Sequence, residues 1–376
     1  MKDIFIIGSK GIPARYGGFE TFVDNLTKQL INNKEFKIHV SNMFEVDDSN
    51  YNNVDNFYVK TPFIGKIRPL IYNILALEKS IKYIKENNNN NFVFYVLSYG
   101  IGPFFNYYSR KIHKLNGKLI VNPDGKEYER GKWNKLIQTY FKYAEKQMMK
   151  YSDVVVCDSK QIQVYLNNKY LNNNKTIYIP YGSNESKSLL KDNDRTFTNW
   201  LNTYDLKPNK YYLMVGRLVP ENNHKIIIEN FVKSKTNKDL VIISTENKKY
   251  KNQLKAVPDR IKFVGSVYDQ ELLKKIRENA YAYIHGHEVG GTNPSLLESL
   301  YLTNINLLLD VPYNKEVGKD TAFYWNKTNL TDLINEVEST KINDINKKAI
   351  MAKKNIIDNY SWEKVTSDYT ELFNKL

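Results

Sequence analysis

The stretch Ile284–Leu300, IHGHEVGGTNPSLLESL, most constrains what this chain can fold into. It follows a short apolar run, Ala280–Ile284, with the length and composition of a buried strand. It then turns through Gly290 and Gly291 and enters an apolar-periodic segment that reads as a helix. Pro294 suits the first helical position, where its missing N–H costs nothing. Asn293 or Thr292 suits the N-cap. Strand, glycine turn and helix in that order belong to a parallel α/β sheet. The glycines let backbone approach a ligand, and the N–H groups of the first helical turn favour an anion. Glu298 lies four residues after Pro294 on the same face, where its carboxylate could accept twice from a sugar diol. Phosphate at the amides and hydroxyls at Glu298 together fit a nucleotide-sugar. A plain strand–turn–helix with a solvated glutamate fits the spacing equally well.

The rest of the chain repeats this unit. Ile4–Ile7 reads as a strand, and GSKGIPARYGGFETF places four glycines before a helix marked by Phe19, Phe22, Val23, Leu26 and Leu30. Such a loop is where α/β proteins bind anions, with Arg15 a candidate phosphate or carboxylate partner or a plain surface residue. It lacks the spacing of a Walker or dinucleotide loop. Further strand-like runs lie at Lys37–Val40, Phe57–Val59, Phe92–Leu97, Lys118–Val121 and in DVVVCDS and TIYIP. Lys66–Lys85 carries a helical stripe at Ile67, Leu70, Ile71, Ile74, Leu77, Ile81 and Ile84, fit for core packing with its lysines toward lipid. The polar run Gly182–Asn199 reads as a linker. A second strand–helix series follows, with Arg217 just past the strand YYLMV, and the amphipathic C-terminus docks as a helix.

The chain of 376 residues is long enough for two cores. Its single cysteine, Cys157, rules out an internal disulfide and favours a reducing compartment. The N-terminal apolar run is too short for a signal peptide, and no stretch reaches the length of a membrane span; the expectation is a cytoplasmic protein. Between Lys60 and Lys150 there are 17 Lys or Arg against 6 Asp or Glu, so most of the formal +14 charge sits there. Such a field attracts phosphates, whether of nucleic acid, anionic lipid or a diphosphate-linked substrate. No nucleic-acid motif accompanies it, so nucleic acid is not an expected partner.

Of five histidines, none forms HExxH. His285 and His287 alternate in an extended segment and could share a side, but no further metal ligands accompany them. There is no GxSxG elbow. Anion- and hydroxyl-binding elements converge instead: Gly17 and Gly18 early, then Arg217, Gly291, Thr292 and Glu298. An arginine fork and a helix N-terminus can hold a leaving diphosphate without a metal.

In order along the chain, GSKGIPARYGGFET, NPDGKEYERGKW, GRLVPENN and HGHEVGGTNPSLLES resemble family 4 of the retaining glycosyltransferases, and more narrowly its bacterial rhamnosyltransferases of capsule and exopolysaccharide assembly. The resemblance implies the α/β GT-B fold, with two Rossmann-like domains facing across a cleft and a C-terminal helix near their junction. The domains would be 1–185, binding acceptor, and 186–376, binding nucleotide-sugar, with the last helix able to pack back on the first. It implies that Gly17 and Gly18 approach the sugar-diphosphate, and that Arg217 binds diphosphate. Glu298 would bind ribose, Gly291, Thr292 and Asn293 would meet phosphate and sugar, and Val267 and Tyr268 would flank the base.

Asn223 stands where the wider family has a lysine, so the positive clamp is weaker or drawn from another residue such as Lys225. Gly290 stands where that family has an acidic residue, with Glu288 nearby but out of register. Asp124 takes the region of the family's N-terminal histidine and would orient sugar or acceptor. The expected activity is metal-independent, cofactor-free transfer of L-rhamnose from dTDP-rhamnose, with retention. Its acceptor would be a lipid-linked saccharide at the inner, anionic face of the cell membrane. Another donor such as UDP-glucose, or a nucleotide-sugar epimerase, remains open.

Overall fold

The computed structural model describes the chain except residues 15–16, 46–49, 63–64, 124, 130–132, 171–174, 246, 248–253 and 255–256, and the side chain at 66. It divides into two compact units: residues 1–182 with 362–376, and residues 183–361. Each is a parallel sheet with helices between its strands.

The first unit contains β1 (Lys2–Ile7), α1 (Gly18–Gln29), β2 (Phe36–Asn42), β3 (Asp55–Tyr58), α2 (Arg68–Glu86), β4 (Phe92–Leu97), α3 (Phe105–His113), β5 (Lys118–Asn122), α4 (Lys135–Tyr151), β6 (Val154–Cys157), α5 (Lys160–Tyr170) and β7 (Thr176–Tyr178). Its strand order is β3-β2-β1-β4-β5-β6-β7, with every pairing parallel. Every residue of β4 is buried, as expected for a central strand covered on both faces.

The second unit contains α6 (Arg195–Thr203), β8 (Tyr211–Val215), α7 (His224–Lys233), β9 (Asp239–Ile243), β10 (Ile261–Gly265), α8 (Gln270–Glu278), β11 (Ala282–His285), α9 (Pro294–Leu302), β12 (Asn306–Leu309), α10 (Pro312–Gly318), β13 (Phe323–Trp325), α11 (Leu330–Ser339) and α12 (Ile342–Tyr360). Its order is β10-β9-β8-β11-β12-β13. The last helix, α13 (Trp362–Lys375), belongs to the first unit. Trp362, Val365, Tyr369 and Phe373 join the core around Phe22 and Tyr95. The Tyr95 and Tyr369 hydroxyls pair at 2.8 Å, so these two buried phenols satisfy each other.

Two segments depart from the sequence reading. The last five residues of the expected linker begin a helix: Asp194 caps α6 by accepting from the Thr196 N–H, and Phe197, Trp200 and Leu201 are buried. That 197/200/201 spacing straddles the end of a polar run, where composition hides it. Helix α2 is also rotated over its first half. It buries Tyr72, Asn73 and Ala76, while Ile67 is 56% exposed and Leu75 is exposed. The Tyr72 hydroxyl donates to Ser41 Oγ at 2.7 Å, and that bond turns the phenol inward.

At the amino end of the first sheet, buried His39 sits between two carboxylates. Its Nε2 is 2.9 Å from Asp3 Oδ1 and its Nδ1 is 2.8 Å from Asp55 Oδ2. Burial opposes the charged ring, but the bonds to Asp3 and Asp55 outweigh it and raise the imidazole above its ordinary value.

Candidate functional site

In the second unit the carboxyl ends of β8 and β11 meet the first turn of α9, the edge where open α/β sheets bind ligands. Asn293 is the N-cap. Its Oδ1 accepts from the Ser295 N–H at 2.9 Å and the Leu296 N–H at 3.4 Å, and Pro294 follows. The first-turn amides expected to face an anion are therefore engaged by the cap. Among the described residues, the N–H groups of Gly290, Gly291 and Asn293 have no hydrogen-bond partner. The anion-binding capacity lies one step earlier, in the loop rather than in the helix. Thr292 is buried there.

The turn is fastened to β8 from beneath. Ser295 Oγ donates to the Val215 carbonyl at 3.3 Å, and the Tyr283 hydroxyl lies 3.2 Å from Ser295 Oγ and 3.1 Å from His285 Nδ1. Arg217 follows β8 and is exposed, and its guanidinium has no partner among the described residues. Asn222 joins its loop to the loop after β11. Its Nδ2 donates to the Arg217 carbonyl at 2.7 Å, and its Oδ1 lies 2.7 Å from His287 Nδ1. Gly286 is required at that crossing, since a Cβ there would stand 2.4 Å from the Asn222 carbonyl oxygen.

Glu298 is not the free double acceptor that its spacing suggested. Its Oε2 pairs with Arg277 Nη2 at 2.7 Å, and Arg277 also donates to Ser295 Oγ at 3.0 Å. Arg277 comes from the last turn of α8 and is 2% exposed, whereas the Glu298 side chain is 32% exposed. One carboxylate oxygen is held by protein and the other can serve a hydroxyl. Sequence reasoning missed Arg277, because a basic residue ending an amphipathic helix reads as a solvated charge.

Asn223 is 5% exposed and left-handed, with φ 56°. Its amide donates to the Gly286 carbonyl at 2.8 Å and to Glu288 Oε2 at 3.2 Å. Asn223 is thus a buried tie between the two loops. Glu288 is also engaged, 2.8 Å from Lys327. Burial disfavours its charge, yet Lys327 and Asn223 hold its carboxyl below the ordinary range. Lys225 is exposed. Val267 packs against the core beside β10, and Tyr268 is 67% exposed. His285 is buried, and burial together with neighbouring His287 lowers its imidazole well below the ordinary value. Among the described residues, no group of three or more His, Cys, Asp or Glu side chains is placed to hold a metal.

In the glycine-rich loop of the first unit several amides have internal acceptors. The Lys10 N–H donates to Glu20 Oε1 at 2.8 Å, the Ile12 N–H to Asn42 Oδ1 at 2.7 Å and the Ala14 N–H to Asp24 Oδ2 at 3.0 Å. Gly17, at φ 134°, leaves room for Glu20: a Cβ there would lie 1.8 Å from its Oε2. Gly18 is exposed, with open space beside it. Among the described residues of this loop, two of the amides are therefore held by the carboxylates of Glu20 and Asp24. Arg15 and Asp124 lie outside the described residues.

Residues 196–356 match the family described as glycosyl transferases group 1, and residues 1–184 match a domain of unknown function, DUF1972. The second unit carries a glycosyltransferase domain. The whole chain is 24% identical, over 399 aligned residues, to an uncharacterized glycosyltransferase of Methanocaldococcus jannaschii, covering 96% of this chain and 95% of that one. Among solved structures, HepE of Anabaena in complex with UDP-glucose matches over 100% of both chains at TM-score 0.76 and 12% identity. A glycosyltransferase of Rickettsia africae matches at 0.77 and 15%, over 100% of this chain and 98% of that one. The sucrose-phosphate synthase of Thermosynechococcus elongatus matches at 0.77 and 13%, over 100% and 99%. At these identities the likeness concerns the fold, two Rossmann-like α/β units of GT-B type. The arrangement around the glycosyltransferase domain's α9 offers loop amides, an arginine and one free carboxylate oxygen.

Proposed function

We propose that this chain is a retaining, metal-independent glycosyltransferase that moves L-rhamnose from dTDP-rhamnose to a lipid-linked saccharide in capsule or exopolysaccharide assembly. The observation carrying the donor site is the exposed Arg217 clasped through Asn222 to a loop with unpartnered amides at Gly290, Gly291 and Asn293, beside Glu298. Arg217 and the loop amides take the diphosphate and stabilise it as it leaves. The free Glu298 oxygen takes a ribose hydroxyl. The departing phosphate oxygen receives the acceptor's proton on the same face, and Asp124 orients sugar or acceptor. Rhamnose rests on the four ordered sequence motifs.

A second donor, UDP-glucose, is favoured by one observation: HepE, of the same fold, was crystallised with it. A panel of dTDP-rhamnose, UDP-glucose and related donors, with product analysis with and without acceptor, separates the readings. Consumption of UDP-sugars alone removes rhamnose. Conversion of the donor sugar without transfer makes the chain an epimerase.

For the acceptor side, the proposed partner is an anionic membrane surface. Exposed Leu75 on α2, Phe104 and Tyr107 at α3, and Leu136 and Tyr143 on α4 belong to three helices that follow one another. Lys111 on α3 pairs with Glu78 on α2 at 2.6 Å, and α3 packs on α4. Apolar side chains among lysines suit an interfacial surface. Among the described residues no helix is long and apolar enough to cross a membrane. Flotation on anionic but not neutral vesicles is expected, and equal recovery on both would remove this partner.

A further inference from the structure

Behind the carboxyl edge of the first sheet lies a buried carboxylate with no place in the proposed chemistry. Glu145, on α4, is 1% exposed. Its Oε1 accepts from the Tyr165 hydroxyl at 2.8 Å, Tyr170 at 2.7 Å and Lys169 Nζ at 2.7 Å, and its Oε2 from Tyr99 at 3.2 Å. Four donors are far more than helix packing requires, and a charge this deep needs them.

Three of these donors reach on to the segment Gly125–Glu129, which follows β5 where open α/β sheets bind ligands: Tyr99, Tyr165, and Lys169, whose Nζ lies over the Tyr128 ring at 5.1 Å. The Tyr99 hydroxyl shares its one hydrogen between Glu145 Oε2 and the Gly125 carbonyl, to which it is closer. The Tyr165 hydroxyl lies 2.6 Å from that of Tyr128. Tyr165 gives its one hydrogen to Glu145, so Tyr128 is the donor in that pair. Lys126 stacks on the Tyr165 ring at 4.5 Å. Burial, together with Tyr128 and Glu145, lifts the Tyr165 phenol above its ordinary value, so it stays protonated and keeps donating.

We propose that Glu145 is a positioning residue: through Tyr165 and Tyr99 it fixes the Gly125–Glu129 segment in the shape that receives the acceptor saccharide. This rests on the reading of the first unit as the acceptor side. Tyr170 supplies the internal control, because it holds Glu145 and, among the described residues, has no hydrogen bond to the segment.

The test compares Tyr128→Phe, Tyr165→Phe, Glu145→Gln and Tyr170→Phe in the full chain. Amide hydrogen exchange over residues 125–129 is measured first, then KM for octyl glucoside and octyl galactoside as acceptors and for whichever donor the wild type consumes. Tyr165→Phe and Tyr128→Phe should speed exchange of the segment at least fivefold. They should raise acceptor KM at least fivefold with donor KM within twofold, while Tyr170→Phe changes neither. Glu145→Gln should behave like Tyr165→Phe where it folds. Equal behaviour of Tyr165→Phe and Tyr170→Phe in exchange would overturn the proposal, as would a rise in donor KM matching that in acceptor KM. A wild type that consumes no nucleotide-sugar would remove the functional reading instead, and the exchange arm would still decide whether Glu145 sets the segment.

Discussion

The loop after β1 and the loop after β11 share a sequence plan of strand, glycines and helix, yet they present opposite faces to a ligand. In the first, alternate amides at Lys10, Ile12 and Ala14 are engaged by Glu20, Asn42 and Asp24. In the second, the cap takes the helix amides and leaves those of Gly290, Gly291 and Asn293 without partners among the described residues. Glycines make close approach possible, but an anion site exists only where the N–H groups have no internal acceptor.

The largest effect should come from Arg277→Met. It removes the buried partner of a partly exposed Glu298 together with the donor to Ser295 Oγ, and losing such charge-assisted bonds costs about 1.5–3 kcal/mol. Urea unfolding reads this, and Glu298→Gln added to Arg277→Met should recover part of it. An unchanged midpoint would mean that the pair only decorates α9. Arg217→Ala should lower kcat/KM on the order of 100-fold without altering stability, since the side chain has no internal partner to lose. Turnover within twofold of wild type would remove Arg217 from the diphosphate site.

The units should also respond oppositely to pH. In the second, burial lowers His224 to about 4, offset in part by a backbone hydrogen bond, and His285 is lowered as well. The unfolded chain then binds protons that the folded one refuses, so stability present above the ordinary imidazole value falls on acidification. For His224 this is about 2 kcal/mol between pH 7 and 5. In the first unit the His39 value is raised, so its contribution is complete below the ordinary imidazole value and is lost as pH rises through the folded one. Melting curves of wild type, His224→Phe and His39→Asn should show a weaker acid slope in the former variant and a weaker alkaline slope in the latter. Identical slopes in all three would exclude both histidines.

Asn293→Ala removes an N-cap and should lower stability by about 1 kcal/mol. A loss below measurement error would show that Pro294 alone starts α9. The smallest change is expected from Glu20→Gln: donor KM should stay within twofold if the diphosphate sits at the loop after β11, since among the described residues Glu20 holds only the Lys10 amide of the first loop. A tenfold fall in KM would place the diphosphate at that loop and reverse the contrast.

Local sequence determined much of the architecture. Apolar runs of strand length set most strands of both sheets, and the Asn293-Pro294 pair set the start of α9, because capping and periodicity involve neighbours within a few residues. The concealed α6 and the turned face of α2 were harder to read. One began in a polar run, and the other depended on a hydroxyl of β2 across the core. Only tertiary structure decided that Glu298 would give one oxygen to Arg277, 21 residues earlier on another helix. Likewise, Asn42 on β2 reaches the first glycine-rich loop. Residue spacing shows which polar groups exist. Their availability to a ligand depends on buried partners that distant segments bring within hydrogen-bond reach, and no local pattern encodes that.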